Sequence, residues 1–201
     1  MSHANRGKAF EAAIEAQIAF YRLDGLASID KNNPEWVLIG YDPATNTCDK
    51  CFPKRKGGVD YDGTITHRGR AWPIYFDAKE TSLKTRFPLN NIEPEQVEFL
   101  REKSRYGAIA FLLVHLAPLG RVFMVDVEQV DQARAAGRAS LSLSDLEAGI
   151  EVRMRAWCPD FLPPILALLE KHHGPNAKPP DQVDGGQVEA ARADHRQVSP
   201  S

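Results

Sequence analysis

Residues Ala108 to Val114, Ala-Ile-Ala-Phe-Leu-Leu-Val, are apolar at every position. A strand with one wet face alternates apolar and polar side chains, so a run without alternation reads as a strand covered on both faces. The segments with helical spacing are the candidates to cover it. Asn5 to Leu23 places Phe10, Ile14, Ile18 and Tyr21 three or four residues apart, on one helical face, and Gly25 ends it. Pro94 to Tyr106 has proline in its first turn and turns Val97, Leu100 and Phe99 inward. The implied fold class is α/β, a β-sheet flanked by helices. The apolar run is too short to cross a bilayer, and Met1 to Lys8 is polar without the apolar core of a signal peptide, so a cytoplasmic protein is expected.

Further strands are expected at Leu26–Ile29, Trp36–Tyr41, Trp72–Ala78, Ala108–Leu116 and Arg121–Val127, and further helices at Glu128–Ala136, Ser144–Ala148 and Phe161–His172. Val59-Asp60-Tyr61-Asp62-Gly63 reads as a short strand end entering a turn. Asp42 to Gly58, rich in Asp, Pro, Asn and Gly, reads as a protruding loop. With 43% hydrophobic and 26% charged residues, a chain of 201 suits one domain. That domain is expected over residues 1–173. From Gly174 onward Pro, Gly and charged residues leave almost no large apolar side chain, so 174–201 is expected to be a disordered tail.

Chemistry gathers around Asp77-Ala78-Lys79. Alternation along a strand puts Asp77 and Lys79 on one face and Ala78 and Glu80 on the other. Asp60 ends another expected strand, and two strand-borne acids brought together make a hard oxygen site suited to Mg²⁺. Such a site polarises a phosphate and activates water, with Lys79 placed to stabilise the pentacovalent transition state. Taken alone, an Asp-x-Lys is also an ordinary surface ion pair.

The motif has company. Val59-Asp60-Tyr61-Asp62-Gly63, then Ile74-Tyr75-Phe76-Asp77-Ala78-Lys79-Glu80-Thr81, then Phe87-Pro88-Leu89-Asn90-Asn91-Ile92 and Gln96, together resemble the RecU family of Holliday-junction resolvases. Asn5-Arg6-Gly7 with Glu11 is similar to that family's N-terminal motif. The resemblance runs from about Ala4 to Val127, and more weakly to His172. It implies a restriction-endonuclease-like core of the PD-(D/E)xK type, a mixed sheet flanked by helices, and an intertwined homodimer. It implies Asp60 and Asp77 as metal-binding acids for Mg²⁺, with Mn²⁺ as a substitute, Lys79 as the transition-state lysine, and Gln96 as a further polar group at the metal. Glu11 stands where related nucleases carry an acid on the first helix, and reads equally as an exposed helix glutamate. Arg6 resembles a DNA-phosphate contact of the family and reads otherwise as a solvated arginine.

Two positions depart from the family pattern. Asp77 stands where the family often has Glu, one methylene longer. Gly58 stands where the family usually has a threonine counted among the metal ligands, so a water or a backbone carbonyl would have to replace it and metal binding is expected to be weaker. The family's stalk, which enters the centre of the four-way junction, corresponds here to residues 41–58, with Cys48, Cys51 and Lys54-Arg55-Lys56.

The chain as a whole has formal charge -2, so DNA must be gripped by a local patch. Pro53 to Arg86 supplies one, with eight Lys and Arg against four Asp and Glu. The expected partners are branched DNA, a second copy of the chain and a RecA-type recombinase, with no membrane. Rival readings are a nuclease of the same fold acting on flaps or duplex, and a non-catalytic junction-binding protein, which Gly58 makes possible. Cys48 and Cys51 have zinc-knuckle spacing, but only His67 or Cys158 are conceivable further ligands, and a pair of free thiols is the plainer reading. His115 is expected to be a partly buried structural histidine, His172 and His173 to favour a helix end, and Asp62 and Glu80 to point away from the site by alternation or sit in the turn.

Overall fold

Side chains along the twelve-residue strand Arg70–Thr81 alternate between two faces, one buried at Trp72, Ile74 and Phe76 and the other exposed at Ala71 and Pro73 and buried at Asp77, and the fold is arranged about that alternation. The computed structural model describes residues 6–32, 36–53 and 58–173. In chain order these form α1 (Arg6–Leu23), β1 (Ala27–Lys31), β2 (Trp36–Ile39), β3 (Lys50–Pro53), β4 (Tyr61–His67), β5 (Arg70–Thr81) and β6 (Arg86–Pro88). A 3-10 turn, Leu89–Asn91, leads into α2 (Pro94–Arg105), followed by β7 (Ile109–Leu116), β8 (Arg121–Val125), α3 (Val127–Ala135) and β9 (Ser140–Ser142). Then come α4 (Leu143–Glu147), β10 (Ile150–Arg155), β11 (Cys158–Asp160) and α5 (Leu162–His173). The chain divides into two compact units, residues 1–165 and 166–201. Of the second, the structure describes the remainder of α5.

Seven strands make one mixed sheet in the order β1-β4-β5-β7-β8-β10-β11. Only β5 and β7 pair in parallel, and the segment between them holds the crossover helix α2, as a parallel connection requires. Phe10, Ile14, Ile18 and Tyr21 of α1 are buried as their spacing predicts. On one face of β5, Phe76 stacks between Tyr61 and Phe111, with ring centroids 4.7 and 5.1 Å away. On the other face Leu112, Val114 and Leu116 of β7 join Val97 and Leu100 of α2 in a core that also holds Phe87, Leu89 and Ile92. The unbroken apolar run is therefore covered twice, as its composition predicts. No helix among the described residues is long and apolar enough to cross a membrane.

Three features differ from the sequence expectation. Gly63 does not open a turn; it lies within β4, and a Cβ there would stand 2.2 Å from the Ser28 carbonyl oxygen of β1. Its lack of a side chain admits the neighbouring strand. The turn comes later, at Arg68 and Gly69, both with positive φ as a two-residue hairpin demands.

The stretch expected as a loop holds β3, which pairs with β2 in a ribbon outside the main sheet, Leu38 opposite Cys51 and Ile39 opposite Lys50. At its tip the Asp42 carboxylate accepts from the Ala44 N–H and the Thr45 hydroxyl, each at 2.9 Å, so the turn-forming residues close a hairpin. Lys54, Arg55, Lys56 and the tail 174–201 lie outside the described residues.

Strands β9, β10 and β11 occupy a region where no strand is expected from the sequence. β9 and β11 are three residues long, β9 and β10 pair with β6 and β8 across intervening elements, and β11 pairs with β10.

Candidate active site

β4 ends before β5 does, and this mismatch builds the site. Tyr61 pairs with Phe76, so beyond that point the edge of β5 has no strand partner. The Asp60 carboxylate takes the place of one, its Oδ2 accepting the Ala78 N–H at 3.0 Å. Asn32 holds the same segment from the other side, donating its backbone N–H to the Asp60 carbonyl at 2.7 Å and its amide to the Val59 carbonyl at 3.1 Å. Asp60 is thereby set beside Asp77.

Asp77 is fully buried, and Lys79 keeps 18% of its side chain exposed. The Lys79 ammonium lies 2.6 Å from Asp77 Oδ2, so the two share a face as alternation predicts. This charge-assisted contact is the partner of Oδ2. Oδ1 is better served: Gln96 Nε2, reaching in from the first turn of α2, donates to it at 2.7 Å. Burial pushes the Asp77 carboxyl up to about 7; the Lys79 ammonium opposes this and the Asp60 carboxylate adds to it. A buried carboxylate next to a second carboxylate is a donor set for a hard divalent cation. Among the described residues no three His, Cys, Asp or Glu side chains gather, so the acid pair is all that His, Cys, Asp and Glu supply.

Residues 5–159 match the family RecU, described as Recombination protein U. The chain belongs to the RecU family. It is similar to the Holliday junction resolvase RecU of Streptococcus equi subsp. zooepidemicus (strain MGCS10565), 31% identical over 178 residues that cover 84% of this chain and 83% of the relative. The Holliday junction resolvase RecU of Geobacillus sp. (strain WCH70) is 29% identical over 153 residues, 73% of this chain and 74% of its own. That of Lactiplantibacillus plantarum is 28% identical over 154 residues, 73% and 72% of the two chains. The RecU match includes Asp60, Asp77, Lys79 and Gln96.

Glu11 is engaged by Lys31, whose ammonium lies 2.8 Å from it and 2.6 Å from Glu15, and these carboxylates hold the lysine well above its ordinary pKa. Its ion-pair partner is a lysine of β1, and Glu11 and Asp60 both act on the Tyr61 hydroxyl. Arg6 begins α1, and its side chain lies outside the described part. Gly58 is exposed, with no atom within 4 Å of where a Cβ would stand, so space for a threonine is present.

Glu80 points to the opposite face and binds His115 at 2.9 Å; His115 stacks on Phe10 with centroids 4.7 Å apart, which makes it the structural histidine expected. Asp62 lies within β4 opposite Tyr75, so alternation puts it on the same face as Asp60, a correction to the expectation that it points away. Cys48 is disulfide-bonded, contrary to the free thiols expected, while Cys158 is free. The side chains of Cys51, His172 and His173 lie outside the described part.

Sequence reasoning missed the parts that hold the acids in place, namely Asn32, the Ala78 N–H and the Glu93 N–H, which donates to Gln96 Oε1 at 3.3 Å. Of these only Glu93-x-x-Gln96 carried a signal, since an acid three residues before Gln at a helix start is a capping pattern.

Proposed function

We propose that this chain is a metal-dependent endonuclease that resolves four-way DNA junctions in recombination and repair, working as a homodimer. The observation that carries the reading is the fully buried Asp77 carboxylate, set beside Asp60 and paired with the Lys79 ammonium at 2.6 Å. It stands in a member of a family whose similar proteins are named Holliday junction resolvase.

Asp60 and Asp77 would hold the ion, Mg²⁺ or Mn²⁺, which when bound polarises a phosphodiester and makes a water more acidic. Lys79 carries the chain's own positive charge at the exposed side of the acid pair, where it opposes the negative charge that develops as phosphorus becomes pentacovalent. Ala78 N–H orients Asp60 and Gln96 orients Asp77, so neither acid has to reorganise during the reaction. Arg6, Lys54, Arg55 and Lys56 would contact phosphates, which positions DNA without reading sequence.

A junction has near two-fold symmetry and needs two matched cuts, so two sites related by the same symmetry fit it. The family resemblance extends this to a RecA-type recombinase as protein partner, and the substrate puts the chain in the cytoplasm. Incubation with labelled four-way, flap and duplex DNA, in Mg²⁺, in Mn²⁺ and in chelator, tests the reading. Paired nicks at symmetric positions near the branch, lost in chelator, are expected. Cleavage scattered along arms would make the chain a duplex nuclease, and binding without cleavage would make it a junction-binding protein.

A further inference from the structure

Away from the acid pair, β6 and β9 form a two-stranded ribbon with Arg86 opposite Ser142 and Pro88 opposite Ser140. This pairing brings Arg86 to the same open cleft as Arg134, in the last turn of α3, and Arg138, just beyond it. The cleft measures about 540 Å³ and has Leu89 and Asn90 of the 3-10 turn in its lining.

Three arginines line this space, and none of its lining residues is an acid. Asp145 pairs with Arg138 at 2.8 Å. Arg134 is held by carbonyls, its Nη2 donating to Ile92 at 3.2 Å and to Leu89 at 3.5 Å. Arg86 is exposed, and no described acid pairs with it. Arg134 and Arg138 are thus held in place beside an unpaired Arg86, and the three positive charges repel one another unless an anion enters. Guanidinium forks match phosphate oxygens in a way that ammonium does not.

The cleft is also joined to the acid pair through the backbone. Arg134 grips Leu89 and Ile92; Glu93 comes next in the chain, its N–H bonding Gln96, and Gln96 reaches Asp77. An anion seated on Arg134 therefore bears on the segment that presents Gln96.

We infer that the Arg86–Arg134–Arg138 cleft seats a backbone phosphate of a DNA arm, a second grip on the substrate apart from the phosphate that is cut. The inference rests on the proposed reading as a junction nuclease. It is tested by the affinity of the full chain for a four-way junction in chelator, where nothing is cut, over a range of salt. Arg86→Ala should weaken binding and flatten the plot of log affinity against log salt by about one phosphate contact, a slope change of roughly 0.9. Arg86→Lys should keep most of that slope. Because Arg86 is exposed, an unchanged melting temperature is expected to show that the fold is intact.

Wild-type affinity and slope in Arg86→Ala and Arg138→Ala would overturn the inference while leaving the nuclease reading in place. A wild-type chain that binds no junction would overturn the reading beneath it. Titration with inorganic phosphate separates the remaining source. Saturation at Arg86 by phosphate alone, with the DNA slope unmoved by substitution, would assign the cleft to a free anion and sink the DNA contact.

Discussion

The Gln96 amide faces Asp77 with its nitrogen, Nε2 donating to Oδ1 at 2.7 Å, while its oxygen takes the Glu93 N–H at 3.3 Å. A metal takes oxygen, so in this arrangement Gln96 orients the acid and caps its own helix at once. Gln96→Ala should lower junction cleavage by about 10- to 100-fold, the usual cost of losing a partner that orients a ligand. Gln96→Glu sets a carboxylate against Asp77 and should move the acidic limb of the pH–rate profile to higher pH. A profile that stays in place would separate Gln96 from Asp77 in the working enzyme.

Asp77→Asn and Lys79→Ala should each reduce cleavage by about 10²- to 10³-fold or more, because each removes charge from the reacting centre. Junction affinity in chelator should change little, since neither residue is part of the phosphate grip. Near-normal turnover of either variant at saturating metal would mean that the centre lies elsewhere.

The raised Asp77 carboxyl has a consequence for stability. Its pKa of about 7 in the metal-free fold exceeds the value of about 4 in an unfolded chain. Between these values the folded state holds the proton more tightly, so the contribution is complete below about pH 4 and is lost as pH rises through about 7. Melting temperature in chelator should fall across this window, and Asp77→Asn should flatten the fall. A divalent ion should restore stability above pH 7, because it replaces the proton on the acid pair.

Gly58→Thr tests the departure from the family pattern. A threonine meets no atom at its Cβ, so the substitution should be tolerated. If this position serves the metal, calorimetric titration should show tighter binding of Mg²⁺ or Mn²⁺ in the variant, with the Asp60→Asn control binding more weakly than wild type.

Phe76 is fully buried between Tyr61 and Phe111. Phe76→Ala should cost about 3–5 kcal/mol in denaturant unfolding, the range for removing a core ring and leaving a cavity. Because its neighbour Asp77 points to the other face, the cost should appear in stability before it appears in metal affinity.

Short-range periodicity accounts for the features that were legible in the amino-acid order alone. The spacing of Phe10, Ile14, Ile18 and Tyr21 defines a buried helical face, and the two-residue repeat of a strand puts Asp77 beside Lys79; neither needs knowledge of a distant residue. The run Ala108 to Val114 demanded cover on two faces for the same reason. Gly63 was illegible because a turn and a close strand approach call for the same residue, and only the position of Ser28 tells them apart. Asp60 could be read as an acid near a strand end, but its seat on the Ala78 N–H exists only because β4 stops short of the end of β5. The contact of Gln96 with Asp77 needs the crossover between β5 and β7, and the arginine cleft needs β6 to find β9 across a long stretch of chain. Such meetings are decided by packing of the whole chain, since a side chain's local pattern records which face it takes and not which remote segment will arrive there.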